Sequence, residues 1–254
     1  MRLIMIRHGD PDYEKDSLTE KGWREAALLA ERISRLEVKD FYVSPLGRAR
    51  DTASLTLEKM GRTAEVCPWL REFAPQIMRP DVPEHTMISW DWLPQDWTRV
   101  EEFYRRDLWT TPKIMREAVS SDPVTGEVRT GIKAEYDWVV QGLDRLLAAH
   151  GYVREDELYR AEQPNQDTLV FFCHFGVECV ILSHLLGISP MILWHGTVAA
   201  PTSVTTLYTE ERRKGAAAFR MAGFGDISHL YAAGEEPAFA ARFCEVYDSP
   251  ERHD

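Results

Sequence analysis

The apolar positions at the start of the chain form a short run that stops at a cation. Residues 3–6 are all apolar, and Arg7, His8 and Gly9 follow them directly. A short apolar run bounded by a turn signal is typical of a buried strand. The pattern therefore predicts a strand over residues 2–7 with polar side chains at its carboxyl end.

Beyond this strand the pattern alternates between helical and extended spacing. Apolar residues at helical spacing predict a helix to about residue 36. Its N-cap is either Ser17, in a capping box with Glu20, or Thr19. The next predicted elements are a strand over 39–44, a helix over about 45–60 and a short strand over 64–66. This βαβα order favours a parallel sheet with helices on both faces.

The alternation lapses over residues 74–131, which carry many prolines and the aromatic stretch SWDWLPQDW but no clear strand. Because these tryptophans need burial, the segment is predicted to be a folded insertion over the core. The tryptophans form either the core of the insertion or a lid or apolar wall for the substrate. The insertion is also expected to set substrate specificity. Regular elements are predicted again as a helix over about 132–150, a strand over 167–174, a helix through about 186, and strands over 203–209 and 217–224.

These elements together predict the fold class. The chain is expected to form a single α/β domain over residues 1–254, containing the insertion over 74–131. The predicted architecture is a three-layer α/β/α sandwich with a mostly parallel sheet and an inserted cap-like segment.

Composition narrows the partners that the chain can have. The chain has 254 residues and a formal net charge of −11, which argues against a broad nucleic-acid surface. It has no signal-peptide pattern and no apolar stretch as long as a membrane span, and its four cysteines form no CxxC pair. A cytoplasmic protein is expected, without nucleic-acid or membrane partners, and the sequence leaves open whether it forms a homodimer.

Three predicted strands lead into residues that can bind an anion. The first ends at Arg7 and His8, and a later one ends in His174. The second leads into a segment that contains Arg48 and Arg50. Ligands of open α/β sheets bind at the carboxyl ends of the strands. Arginines give bidentate contacts to phosphate oxygens, and imidazole can attack phosphorus or donate a hydrogen bond, so this edge is predicted to bind phosphate.

The segments that carry these residues resemble the histidine phosphatase superfamily, which includes cofactor-dependent phosphoglycerate mutases and many small-molecule phosphatases. The matching segments are RHG at 7–9, LTEKG at 18–22, SPLGRARDTA at 44–53, LRE at 70–72, His174, SVTTL at 203–207 and GDISHL at 225–230. The resemblance covers most of the chain except residues 74–131. An isolated RHG is a weak signal, whereas all of these segments in order, at strand ends, form a strong one.

The resemblance implies a role for each of five residues. His8 would be the nucleophile that forms a phosphohistidine, while Arg7 and Arg48 would hold the phosphoryl oxygens. His174 would be a further phosphate ligand in the catalytic centre. Glu72 would protonate the leaving oxygen and then activate water.

Two of these assignments have competitors in the sequence. The register of the SPLxRA segment selects Arg48, and Arg50 is expected to lie on the helix surface. Glu72 competes with Glu65 and Glu84 for the role of general acid, because either of these could reach the site from nearby.

The chain departs from the family pattern at two places. Relatives carry glycine directly after the second histidine, whereas this chain has Phe175, a side chain that could crowd the phosphate pocket. Mutases commonly read RHGxSxWN at the nucleophile, whereas this chain reads RHGDPDYEKD and lacks the asparagine, with Asp12 and Tyr13 in its neighbourhood. This second departure favours hydrolysis over mutase activity.

The segment at the nucleophile contains side chains that can bind a metal ion. His8, Asp10 and Asp12 form an H-x-D-x-D arrangement. Metallophosphatases need several further carboxylate and imidazole ligands, and no downstream cluster supplies them. The two aspartates are therefore predicted to form a turn or to face substrate, and neither a metal nor another cofactor is expected.

The leading hypothesis is a metal-independent phosphomonoesterase, a hydrolase of the histidine acid phosphatase type. It would act on a small phosphorylated metabolite through a phosphohistidine. One alternative is a phosphotransferase similar to phosphoglycerate mutase, and another is a catalytically weak phosphate-binding protein.

Overall fold

The structure is a computed structural model that describes residues 1–238. One of the four cysteines, Cys244, lies outside the described residues. The strands are β1 (Arg2–Arg7), β2 (Pro11–Asp12), β3 (Ser17–Leu18), β4 (Asp40–Val43), β5 (Glu65–Val66), β6 (Gln76–Ile77), β7 (Met87–Ile88), β8 (Val119–Ser121), β9 (Val128–Thr130), β10 (Tyr152–Glu155), β11 (Leu158–Ala161), β12 (Thr168–Cys173), β13 (Val204–Arg213) and β14 (Ala216–Asp226). The helices are α1 (Glu20–Ile33), α2 (Gly47–Met60), α3 (Pro94–Trp97), α4 (Lys113–Arg116), α5 (Ile132–Ala149), α6 (Phe175–Leu186), α7 (Pro190–Gly196) and α8 (Ser228–Ala233).

The central sheet has eight strands in the order β10-β11-β14-β13-β1-β12-β4-β5. Strands β1, β12, β4 and β5 are parallel to one another. Strand β13 pairs with β1 in the antiparallel sense, and β14, β11 and β10 continue that pattern. The predicted parallel sheet is therefore confirmed for the half that ends in β5, whereas the other half is antiparallel. The hairpin of β10 and β11 was not predicted, because strands of four residues carry little periodicity.

Side chains of the parallel strands alternate between two apolar clusters. Ile4 and Ile6 of β1 belong to one cluster with Leu29 and Ile33 of α1. Met5, between them, belongs to another cluster that also contains residues of α5 and α6. Because successive side chains of a strand point to opposite faces, helices cover both faces of this half of the sheet. A three-layer description of the whole chain stays a prediction.

The N-terminus of α1 decides between the two predicted caps. The hydroxyl of Thr19 accepts a hydrogen bond from the N–H of Gly22 at 3.1 Å, so Thr19 is the N-cap. Ser17 lies in β3 instead, and its hydroxyl donates to the carboxylate of Asp51 at 2.5 Å. The helix ends at Ile33, slightly before the predicted boundary.

Residues 74–131 contain a small sheet of their own. Strands β7, β6, β8 and β9 pair in that order and are antiparallel. The expectation of no clear strand in this segment is wrong, because strands of two or three residues are too short to show alternation. Trp92, Phe103 and Trp109 are buried in the same cluster as residues of α5 and α6, so the segment packs on the core. Its role as a lid or specificity segment stays a prediction.

A helix that crosses a bilayer must be both long and apolar. Within residues 1–238, no helix combines the length and the apolar composition required to cross a membrane.

Candidate active site

His8 directly follows β1, and its ring is buried, at 2% exposure. Its main-chain N–H donates to the carbonyl of Cys173 on β12 at 3.0 Å, and its Nδ1 lies 2.8 Å from the carbonyl oxygen of Gly9. Because a carbonyl oxygen only accepts, Nδ1 carries the proton and Nε2 keeps its lone pair. Burial, together with the charges of Arg7 and Arg48, holds the pKa of His8 well below its usual value. The ring is therefore neutral, and its Nε2 is available as a nucleophile.

Arg7 is buried beside His8 and is held by the loop that precedes β13. Its Nη1 donates to the carbonyl oxygen of Ala199 at 2.6 Å. The N–H of Thr202 donates in turn to the carbonyl of Arg7 at 3.1 Å. Burial lowers the pKa of Arg7 below that of a free guanidinium. The end of β1 is thus fixed in the main chain and in the arginine side chain.

Arg48 lies in the first turn of α2, and Asp16 orients it. Its Nη1 donates to Oδ1 of Asp16 at 2.6 Å, and Oδ2 of the same carboxylate accepts from the N–H of Gly47 at 2.6 Å. The ring of Tyr13 lies over the guanidinium, 5.4 Å from Cζ to the ring centroid. Arg50 is exposed, which agrees with its predicted place on the helix surface.

His174 immediately precedes α6, and its side chain is fully buried. Its ring centroid is 5.0 Å from that of His8, and its Nε2 lies 2.7 Å from Oγ of Ser44. That oxygen also accepts the N–H of Leu46 at 3.2 Å, and when the Ser44 hydroxyl donates to Nε2, the ring proton of His174 is on Nδ1. Within residues 1–238, Nδ1 has no hydrogen-bond partner. A buried donor without a partner suits a phosphate oxygen.

Glu72 lies on the loop after β5 and reaches the N-terminus of α6. Its Oε1 accepts from the N–H of Phe73 at 2.8 Å and from that of Val177 at 3.2 Å. Burial raises the pKa of Glu72 even though the charges of Arg48 and Arg7 oppose that rise. The carboxyl thus lies in the electrostatic field of both arginines and keeps its proton to a higher pH than an ordinary glutamate.

The two competing glutamates differ from Glu72 in their surroundings. Glu65 and Glu84 are both exposed, whereas Glu72 is bonded to the helix that follows His174. The geometry therefore favours Glu72 as the general acid.

Gly176 lets Glu72 and Trp90 pack against the first turn of α6. A Cβ at this position would lie 2.6 Å from Oε1 of Glu72 and 2.8 Å from Nε1 of Trp90, which excludes any other residue without a shift. Phe175 points into the apolar core, and its ring meets the Trp90 ring edge-on with centroids 5.8 Å apart. The crowding of the phosphate pocket by Phe175 stays a prediction.

Three further residues support the site and were not predicted from the sequence. Asp16 orients Arg48 and Ser44 bonds His174, although Ser44 stands in the segment that carried the resemblance. Glu178, in the first turn of α6, is buried, and burial raises its pKa to about 7 while the charge of Arg7 opposes the rise. A glutamate in an otherwise apolar helix (FGVECVILSHLL) was the available signal.

The aspartates that follow the nucleophile are used within their own loop. Asp10 accepts a hydrogen bond from the Thr19 hydroxyl at 2.7 Å, and Asp12 accepts from Lys15 at 2.7 Å. Among residues 1–238, no group of three or more His, Cys, Asp or Glu side chains is arranged to hold a metal ion. The local bonds agree with the predicted turn.

A family model described as the histidine phosphatase superfamily (branch 1) matches residues 3–109. The matched residues include Arg7, His8, Arg48 and Glu72, which the geometry places together. The resemblance to the histidine phosphatase superfamily is confirmed. The match also extends into the first part of the segment over 74–131, where no resemblance was predicted.

A curated relative and two solved structures are similar to this chain. The 2,3-bisphosphoglycerate-dependent phosphoglycerate mutase of Thermoplasma acidophilum is 35% identical over 69 residues, which are 23% of this chain and 34% of that protein. The chain therefore matches about a third of the length of that relative.

The solved structures extend the similarity over most of the chain. A mutant phosphoserine phosphatase from Entamoeba histolytica in complex with phosphoserine is 19% identical, with a TM-score of 0.56 over 90% of this chain and 98% of that one. A mycobacterial glucosyl-3-phosphoglycerate phosphatase in complex with VO3 is 22% identical, with a TM-score of 0.51 over 88% and 98%. At these identities the similarity shows the fold alone.

Proposed function

We propose that this chain is a phosphomonoesterase that works through a phosphohistidine at His8. The observation that carries the proposal is a neutral, buried His8 beside Arg7 and Arg48, with the carboxyl of Glu72 in the field of the same arginines. This set combines a nucleophile, a cation pair for the phosphoryl oxygens and an acid for the leaving group. His174 adds a buried donor at its Nδ1.

The reaction takes two displacements at phosphorus. Nε2 of His8 attacks phosphorus, the bond between phosphorus and the ester oxygen breaks, and Glu72 gives its proton to that oxygen, so the alcohol leaves. Glu72, now a carboxylate, takes a proton from water as the water oxygen attacks the phosphohistidine. The bond between phosphorus and Nε2 then breaks, and inorganic phosphate and the free histidine are released.

The positive charge for this chemistry comes from the chain itself. Arg7 and Arg48 neutralise the phosphoryl oxygens as charge develops, the role that metal ions take in other phosphatases. The proposal is therefore for metal-independent hydrolysis of a small phosphorylated metabolite by an acid phosphatase type of mechanism, in the cytoplasm. The fold of phosphatases at low identity agrees with this reaction class.

Steady-state hydrolysis of a panel of phosphate monoesters tests the proposal. The full chain should release phosphate in the presence of EDTA, and His8→Ala should abolish that release. Retained hydrolysis by His8→Ala would overturn the proposed nucleophile, and loss of activity with EDTA would overturn metal independence.

A mutase-like phosphotransferase is the second candidate, because the curated relative is a mutase. That function requires activity that depends on a bisphosphate primer, with little hydrolysis in its absence. Binding of phosphorylated ligands without turnover would point instead to a catalytically weak phosphate-binding protein.

A further inference from the structure

Trp90, in the segment over 74–131, lies next to Glu72, the proposed general acid. The indole and the Glu72 carboxyl both pack on Gly176, where an added Cβ would lie 2.8 Å from Nε1 of Trp90 and 2.6 Å from Oε1 of Glu72. The two side chains are therefore neighbours on the first turn of α6. Trp90 is partly exposed, so it presents surface beside Glu72.

The surface that Trp90 presents is apolar. Its Nε1 already donates to the carbonyl of Phe73 at 2.7 Å, and Phe175 supports its ring edge-on. The carbonyl oxygen of Trp90 accepts from Nη1 of Arg79 at 3.1 Å, which fixes the main chain. With its donor engaged, the indole offers a ring face or edge and no hydrogen bond to a substrate.

Within residues 1–238, the arginines next to the site already have partners or serve the phosphoryl group, including Arg71, which pairs with Asp122 and Glu135. In the described part of the chain, the cations that act on His8, His174 and Glu72 are Arg7 and Arg48, and both serve the phosphoryl group. Arg79, the arginine that bonds the main chain of Trp90, is itself buried. A carboxylate on the leaving group would meet carboxyl groups and an indole, without a compensating partner.

We infer that the substrates are phosphate monoesters of uncharged, apolar alcohols, whose carbon skeleton packs on Trp90. The inference rests on the proposed function, because Glu72 must protonate the ester oxygen, and the carbon attached to that oxygen then lies beside Glu72. Trp90 presents an apolar surface next to Glu72. This makes Trp90 a specificity-determining residue.

Competition between two alkyl phosphates tests the inference. Phenethyl phosphate and O-phosphoserine both release an unactivated alkyl alcohol. A difference in their rates therefore reports how the enzyme binds the rest of the alcohol, which is apolar in one and charged in the other. The full chain should favour phenethyl phosphate in kcat/KM by about tenfold or more, the range that one apolar contact supplies. Trp90→Ala should remove most of this preference, and Trp90→Phe should keep part of it. Tyr104→Ala, which removes an exposed ring from the same segment, is the matched control and should keep the full ratio.

Each outcome decides the inference. Equal or better hydrolysis of O-phosphoserine would overturn it while leaving the proposed phosphatase intact, and so would an equal fall on both substrates in Trp90→Ala. No hydrolysis of any monoester would instead defeat the proposed function. Thermal unfolding checks each variant, and if Trp90→Ala does not fold, a partial fall of the ratio in Trp90→Phe supports the contact and an unchanged ratio contradicts it.

Discussion

Two regions of the molecule bury arginine side chains, and they balance the charge differently. Beneath the small sheet of the 74–131 segment, Arg71 is 4% exposed and meets Asp122 at 3.2 Å and Glu135 at 2.5 Å. The ring of Trp138 covers its guanidinium, 4.9 Å from Cζ to the ring centroid. Every charge in this cluster has a partner of opposite sign, so the cluster ties β8 to α5 and offers nothing to a ligand.

At the edge of the parallel strands the buried arginines have different neighbours. Arg7 and Arg48 lie among two imidazoles with depressed pKa values and the Glu72 carboxyl, whose pKa is raised. Arg48 pairs with Asp16, which is 42% exposed, and Arg7 donates to a carbonyl. An arginine held between two buried carboxylates thus marks a structural cluster, whereas arginines grouped with two imidazoles of depressed pKa mark an anion site.

Removing the acid should have the largest effect on activity. Glu72→Gln is expected to lower kcat for alkyl phosphates by about 10²–10⁴-fold, the usual contribution of a general acid. The loss should be smaller for 4-nitrophenyl phosphate, because that leaving group departs without a proton. Glu65→Gln, an exposed carboxyl on β5, is the control and should hydrolyse both substrates normally. Equal losses on the two substrates would argue against Glu72 as the acid.

Paired arginine substitutions test the comparison itself. Arg71→Met leaves the buried Asp122 without its cation and leaves Glu135 paired with Arg129 alone, so it should lower the free energy of unfolding by about 3–5 kcal/mol, with KM unchanged for the folded protein. Arg48→Met removes a guanidinium whose carboxylate partner, Asp16, is solvated, so it should change stability far less and raise KM instead. Chemical denaturation and steady-state kinetics measure both quantities. Similar stability losses in the two variants would contradict the distinction.

The shifted pKa values of His8 and Glu72 should also shape the pH dependence of kcat/KM. This effect is smaller than the effects of the substitutions above. Burial and the two arginines lower the pKa of His8, so the nucleophile stays neutral and active further into acid than a free histidine. Burial raises the pKa of Glu72, so the acid stays protonated to a higher pH than a free glutamate, and activity falls as the pH rises through that pKa. In Glu72→Gln the fall on the alkaline side should disappear. A profile that rises through neutral pH in the native chain would contradict this assignment.

The smallest effect is expected in the turn after the nucleophile. Asp12 forms a surface ion pair with Lys15 and contacts no catalytic residue. Asp12→Asn should leave the unfolding midpoint, the KM and the insensitivity to EDTA unchanged. A new dependence on divalent metal ions, or a large loss of activity, would revive a metal role for this segment.

The sequence predicted the part of the fold that long apolar runs encode. Strand β1 ends in Arg7 and β12 leads directly into His174, so the predicted parallel order already placed the two residues at one edge. The small sheet and α7 were missed, because short elements carry no periodicity. The choice of Glu72 among three glutamates needed the tertiary contact with Val177, and the roles of Asp16 and Trp90 depend on loops that only the folded chain brings to the site.

Trapping the covalent intermediate tests the central claim most directly. The chain is mixed with a phosphate monoester in the presence of EDTA, quenched in alkaline denaturant to preserve phosphohistidine, digested and analysed by mass spectrometry. The account predicts one phosphoryl group on His8, absent from His8→Ala and accumulating in Glu72→Gln when the aryl ester is used. Turnover with the phosphoryl group on another residue would contradict it. Turnover with no phosphorylated chain, in both the native enzyme and Glu72→Gln, would also contradict it.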